Sequence, residues 1–186
     1  MPLSGPEWAK QFPTSRHIHD LAHPFQNKVT LFVHALRLAG AHIHISATFR
    51  PPQRAYLMHY CFLIGRKDMD PRKVPPFKGV DIQWAHQNAL GQFDALASKN
   101  AALQMVEAYQ IVHKPVLCSR HSEGHAIDMT ITWPHKLTIT DAKGQKILIE
   151  TLPHDGSGNA MLHDVGATYG VHKLLKDPPH WSSDGH

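Results

Sequence analysis

The sequence predicts an α+β fold, a small antiparallel sheet flanked by helices, and three observations carry that expectation. Four segments place apolar residues at helical spacing. The extended segments alternate apolar and polar residues or pair through a short polar turn, so helices are segregated in sequence from antiparallel hairpins. At 186 residues, 42% of them apolar, the chain is long enough to bury a core and short enough to read as a single domain over 1–186.

Taken in order, residues 1–26 are punctuated by Pro2, Pro6, Pro13 and Pro24 and read as an irregular N-terminal arm. Asn27 is expected to cap a first helix running to about Ala39, with Val29, Phe32, Val33 and Leu36 on its apolar face and Gly40 as the stop. Ala41 to Thr48 alternates, Ile43 and Ile45 on one face and His42, His44 and Ser46 on the other, as in a half-buried strand. Pro51 and Pro52 suit the first turn of a second helix that carries Tyr56, Leu57, Tyr60, Phe62 and Leu63 up to Gly65. Residues 66–96, with prolines 71, 75 and 76, read as a long variable loop. Ser98 opens a third helix to about Val112, followed by a loop at 113–125 and a strand at 126–133. A hairpin, 136–140 to 146–150, turns through Asp141-Ala142-Lys143-Gly144. Asn159 caps a last helix to about Tyr169, stopped by Gly170, and a short strand or extended tail finishes the chain.

Composition removes several function classes. No apolar run approaches the ~18–20 residues of a membrane span, and no basic segment followed by an apolar one marks a secretory signal. The formal charge is 19 − 15 = +4, without a dense Lys/Arg block or aromatic-basic alternation, which argues against a nucleic-acid binder. Cys61 and Cys118 are the only cysteines, so a disulfide scaffold and a four-cysteine zinc site are both excluded. Neither cysteine sits in a context that suggests a thiolate nucleophile. Histidine is in excess, 17 residues, which leaves open a metal site built from imidazole and carboxylate.

Two stretches hold the residues for such a site. In SRHSEGHAIDM, at 119–129, His121 and Asp128 offer one nitrogen and one oxygen ligand. Gly124 lets the backbone turn or approach closely. Strand alternation puts Ala126, Asp128 and Thr130 on one face and turns Ile127 and Met129 toward a core. In DPPHW, at 177–181, His180 completes a set of two histidines and one aspartate, which leaves a fourth zinc position for water. Asp177, three residues earlier, is placed to act as a general base, and Pro178 and Pro179 restrict its motion relative to His180. Against this stands a bland alternative, a solvated loop histidine and a Pro-rich tail with stray polar residues. The pairs His17/His19 and His42/His44 are expected to bind metal only adventitiously, while His125, between the two ligands of the first stretch, is placed to reach the cleft.

Together the stretches resemble the zinc D-Ala-D-Ala carboxypeptidase family, which includes D,D-dipeptidases and phage L-alanyl-D-glutamate endolysins and shares its fold with the hedgehog signalling domain. Ser119, His121, Gly124, Ala126 and Asp128 fill the family's Ser-x-His-x-x-Gly-x-Ala-x-Asp pattern. Asp177, His180 and Trp181 fill its second motif, an acidic residue three before a His that is followed by an aromatic. In SATFRPPQRAYLM, at 46–58, Arg50 and Gln53 match an Arg after a strand and a Gln at a helix start. The likeness runs over roughly 27–186; the N-terminal arm and the 66–96 segment lie outside it.

The resemblance implies a hedgehog/D-Ala-D-Ala peptidase-like fold and a zinc metallopeptidase with one Zn2+ per chain held by His121, Asp128 and His180. Such a zinc would lower the pKa of its bound water from about 15.7 toward about 7, with Asp177 as the general base. Arg50 would stabilise the developing oxyanion or hold a substrate carboxylate. Ser119, Gln53 and Trp181 would contact substrate, Trp181 as a wall of the cleft. The implied substrate is a peptide bond in peptidoglycan stem peptides or cross-links, cut as a D,D- or L,D-type carboxy- or endopeptidase. The expected partners are peptidoglycan peptides, with a phage or secretion apparatus or an immunity protein besides; neither nucleic acid nor a membrane span is expected. With no signal peptide evident, delivery to the wall or periplasm would bypass the Sec route, as for a phage lysin or a type VI secretion effector. The alternative from another class is a non-catalytic zinc-binding interaction domain, as the hedgehog likeness allows.

Overall fold

The computed structural model describes residues 1–186. In chain order its elements are α1 (Phe25–Leu38), β1 (His42–Ala47), α2 (Pro52–Lys67), β2 (His86–Gln87), β3 (Phe93–Asp94), α3 (Ala95–Ala108), β4 (Ala126–Thr132), β5 (Leu137–Thr140), β6 (Lys146–Ile149), α4 (Ala160–Thr168), β7 (His172–Lys173) and β8 (His180–Ser182). The class is α+β, with a small antiparallel sheet. The chain forms two compact units. One comprises Met1–Pro13 and Arg50–Ser119, the other Thr14–Phe49 and Arg120–His186. No helix is long and apolar enough to cross a membrane.

The second unit is built on a sheet of order β1-β4-β8-β7, antiparallel throughout. Alternation along β4 turns Ile127, Met129 and Ile131 into the core and leaves Asp128, Thr130 and Thr132 on the open face. The buried face packs with Phe25, Phe32 and Leu36 of α1, Leu162 and Val165 of α4, and Leu137, Ile139 and Ile149 of the β5–β6 hairpin. At the end of α1 the Ala41 amide donates to Leu36 O and the Gly40 amide to Arg37 O. Gly40 has a φ of 85°, which completes a Schellman turn. This helix begins at Phe25, ahead of the expected Asn27, because Phe25 extends the buried stripe of Val29, Phe32 and Val33 by another turn. Asn159 does cap α4, its side chain accepting from the Leu162 amide at 3.0 Å. Asp141 accepts from the amides of Lys143 and Gln145 to close the β5–β6 turn.

In the first unit, α2 packs along α3 around Leu57, Cys61, Ile64, Ala102, Met105 and Val106. Gly65 does not stop α2, which continues to Lys67. A Cβ there would stand 3.0 Å from Leu103 Cδ2 and 3.2 Å from Leu103 N, so the glycine allows the two helices to approach. Helix α3 is capped by Asp94, which accepts from the Ala97 amide at 2.8 Å, and it ends at Ala108, short of Val112. The expected cap, Ser98, is buried one turn inside, where its hydroxyl accepts from the His86 amide and donates to Asp94 O. Residues 66–96 are more than a loop. They hold a 3-10 turn at Pro71–Lys73 and the β2–β3 pair, and they bury Val80, Ile82 and Trp84. The N-terminal arm likewise carries 3-10 turns, at Pro6–Lys10 in the first unit and Ile18–Asp20 in the second.

Candidate metal centre

Two neighbouring strands and one turn bring three predicted ligands together. Asp128 of β4 and His180 of β8 are register partners, so both side chains leave the sheet on the same face. His121 comes from the turn before β4, held by hydrogen bonds from Gly124 N to His121 O and from His125 N to Arg120 O. Gly124 is required in that turn. Its φ is 73°, and a Cβ would lie 2.8 Å from the Ala22 amide nitrogen, which donates to Gly124 O. Arg120 anchors the turn through Glu123 at 2.7 Å and through a close ion pair with Asp184.

The three inward atoms form a nearly equilateral triangle. His121 Nε2 and His180 Nδ1 each lie 3.1 Å from Asp128 Oδ1 and 3.2 Å from each other. His121 is 4% exposed and His180 8%. The outer nitrogen of each ring donates to a main-chain carbonyl: His121 Nδ1 to Thr48 O at 2.6 Å and His180 Nε2 to His186 O at 3.1 Å. Those carbonyls select the tautomers, so both neutral rings turn a lone pair inward toward a carboxylate. Three acceptors at this spacing repel one another unless a cation or a shared proton lies among them. A tetrahedral ion with bonds of about 2.0–2.1 Å would hold its ligand atoms about 3.3–3.4 Å apart, close to the edges observed. His121, Asp128 and His180 can therefore hold a metal ion, and no other group of three or more such side chains converges in the structure.

Electrostatics point the same way. Burial would raise the Asp128 pKa, but the adjoining His121 and His180 rings, which favour the carboxylate form, outweigh it and hold the carboxyl below its ordinary range. His180 is pulled the opposite way by burial, yet the Asp128 carboxylate keeps its pKa above the usual histidine value. By contrast, burial pushes the Cys61 thiol up to about 12, which makes it inert.

The other predicted residues are placed as follows. Asp177 is exposed in the turn between β7 and β8; its amide donates to Leu174 O, and its carbonyl accepts from the His180 amide. Its carboxylate acts electrostatically on His180. Trp181 does not wall a cleft. It is fully buried on the opposite face of β8, its ring 5.6 Å from those of Phe32 and His163, because the residue after a site-facing His must turn into the core. Arg50, Gln53 and Ser119 belong to the first unit. Gln53 lies in the first turn of α2, its amide nitrogen 3.5 Å from where a Cβ on Gly79 would sit, and Arg50 and Ser119 are half-buried. His17 and His19 stack at 5.1 Å, and His42 and His44 stand exposed on β1; neither pair gains a third ligand. Sequence reasoning missed the contributions of Thr48 and His186, which act through main-chain oxygens and carry no side-chain signal. No family model matches this chain, and no curated protein does either.

Proposed function

We propose that this protein is a zinc-dependent peptidoglycan peptidase that hydrolyses a peptide bond in wall stem peptides or cross-links. The observation that carries the reading is the triangle of His121 Nε2, Asp128 Oδ1 and His180 Nδ1, with both outer ring nitrogens committed to carbonyls. Two imidazoles and one carboxylate are a ligand set suited to zinc, and three protein ligands leave an open position, as in catalytic rather than closed structural sites. Bound there, zinc supplies Lewis acidity toward a water and toward the scissile carbonyl. Asp177 accepts a proton from the attacking water on its carboxylate and delivers it to the leaving amine nitrogen. Pro178 and Pro179 fix φ at two of the residues linking that base to His180 and so limit its excursions. The roles of Arg50, Gln53 and Ser119, in holding a substrate carboxylate, an oxyanion or the peptide, enter from the sequence resemblance alone.

The test is incubation of zinc-loaded protein with purified sacculi, reading new free amines and identifying the cut bond by mass spectrometry of the muropeptides. Asp177→Ala is expected to lower the rate by about 10²–10⁴-fold while zinc binding is retained. Equal lysis by this variant would remove Asp177 from the mechanism. A wild-type protein that binds zinc and leaves sacculi intact would favour the non-catalytic zinc-binding domain instead.

A further inference from the structure

Residues 174–180 comprise the loop after β7 and the first residue of β8, and this segment carries both Asp177, in the loop, and His180, at the start of β8. Three main-chain hydrogen bonds within it shape it, Leu174 N to His180 O, Asp177 N to Leu174 O and His180 N to Asp177 O, and a fourth from Met129 N to Pro179 O ties it to β4. The side chain of Lys173, the last residue of β7, lies half-buried against this segment. Its ammonium donates to Leu174 O at 2.5 Å, Asp177 O at 2.6 Å and His180 O at 3.1 Å. All three protons of the ammonium are thus matched to carbonyls of one segment. The ammonium also lies 5.8 Å from the centre of the Trp181 ring, whose burial fixes β8.

We propose that Lys173 is the positioning residue of the metal centre: its ammonium holds the 174–180 segment through three carbonyls and thereby sets where His180 Nδ1 and the Asp177 carboxylate stand. The argument is one of geometry. Two of the three carbonyls belong to the metal-ligand candidate and the proposed base themselves, so one cation indexes both to the same point. The two prolines stiffen the path between them, and Pro179 O accepts from the Met129 amide of β4 at 2.8 Å, but neither proline has an amide donor with which to tie the Asp177 and His180 carbonyls together. A compact ammonium can meet three converging oxygens, whereas a planar guanidinium or an apolar chain cannot. Desolvation of this cation opposes its burial, while the carboxylates of Asp177 and Asp128 favour it. Lys173 touches neither substrate nor metal in this role; it acts through the segment.

The proposal rests on the reading of His121, Asp128 and His180 as a metal site, and it is tested without substrate so that it stands apart from the peptidase reading. Full-length wild type, Lys173→Met and Lys173→Gln are compared for zinc affinity by chelator competition and for the visible spectrum of the cobalt-loaded protein. Loss of a group that orients a metal ligand typically costs about 10–100-fold in affinity. Lys173→Met is expected to lose that much and to shift the cobalt bands. Lys173→Gln, which still donates two protons, is expected to fall between Met and wild type. Wild-type affinity and spectrum in Lys173→Met would overturn the proposal. So would losses that only follow the unfolded fraction read by circular dichroism in both variants. If sacculi are cut, both variants should lower kcat with little change in KM, and the reverse split would also count against a positioning role. Wild-type protein that binds metal but cuts nothing would remove the peptidase reading and leave this one in place.

Discussion

Metal-free and metal-loaded protein should respond to pH in opposite directions. Without metal, the triangle at His121, Asp128 and His180 is held together by a proton on His180 Nδ1 donated to Asp128 Oδ1. The His180 pKa is raised in the folded state, so this contribution is complete below the ordinary histidine value of about 6.5 and is lost as pH climbs through the raised value. Asp128 is depressed, so its own share is complete above its ordinary value of about 3.9 and disappears only as pH falls through the lowered one. Metal binding needs the inward lone pair and must expel the proton. The triangle accommodates one such proton, so below the His180 pKa the metal affinity should rise about tenfold per pH unit, or about 1.4 kcal/mol, and level off above it. Zinc affinity measured between pH 5 and 8 by chelator competition, with imidazole NMR of metal-free His180 in parallel, reads both the slope and the break. Asp128→Asn should move the NMR midpoint of His180 downward, since the carboxylate is what raises it against burial. An affinity flat over this range would refute the shared-proton picture.

Two further predictions address how the second unit holds the site. Gly166→Ala places a Cβ 2.8 Å from Trp181 Cζ3 and 2.9 Å from Val171 O. Overpacking of about 1–3 kcal/mol, offset by about 1 kcal/mol of helix propensity, leaves about 0–2 kcal/mol and should lower Tm by up to roughly 8 °C, whereas a raised Tm would contradict the buried position of Trp181. Asn159→Ala removes the α4 cap and donations to Thr151 O at 2.8 Å and Pro153 O at 2.9 Å. It should cost about 2 kcal/mol in denaturant titration, and Asn159→Asp should also destabilise, because a carboxylate would then face those two carbonyls.

How legible each part was depended on whether the signal was local. The alternation around Asp128 placed it on the open face of β4, because period two needs no tertiary information. Asn159 and Gly40 marked helix ends for the same reason: capping and left-handed turns are decided within a few residues. Asp94 and Ser98 show where that logic fails. Both are residue types that cap, and only the pairing of the Ser98 hydroxyl with the His86 amide, twelve residues away, makes Asp94 the cap and Ser98 an interior residue. Gly65 fails similarly, since a glycine that stops a helix and one that admits a neighbouring helix look alike until Leu103 is in place. Trp181 was readable and misassigned, because alternation after His180 already turns it inward.

The candidate site divides along the same line. Residue type and spacing marked His121, Asp128 and His180 as potential ligands, but not which nitrogen each ring would present. The two rings present opposite ones, Nε2 from His121 and Nδ1 from His180. That choice is made by carbonyls. Thr48 O lies at the end of β1, and His186 O follows a turn whose amides, Gly185 N and His186 N, both donate to the buried Ser182 hydroxyl. A carbonyl is common to every residue, so no sequence pattern distinguishes the ones that orient a ligand. The β1–β4 bulge between Ile45 and Ala47 and the β8 register do distinguish them, because they fix which main-chain oxygens stand behind the rings. The side chains thus supply the metal-binding chemistry, while the sheet supplies the tautomers that turn three acceptors inward.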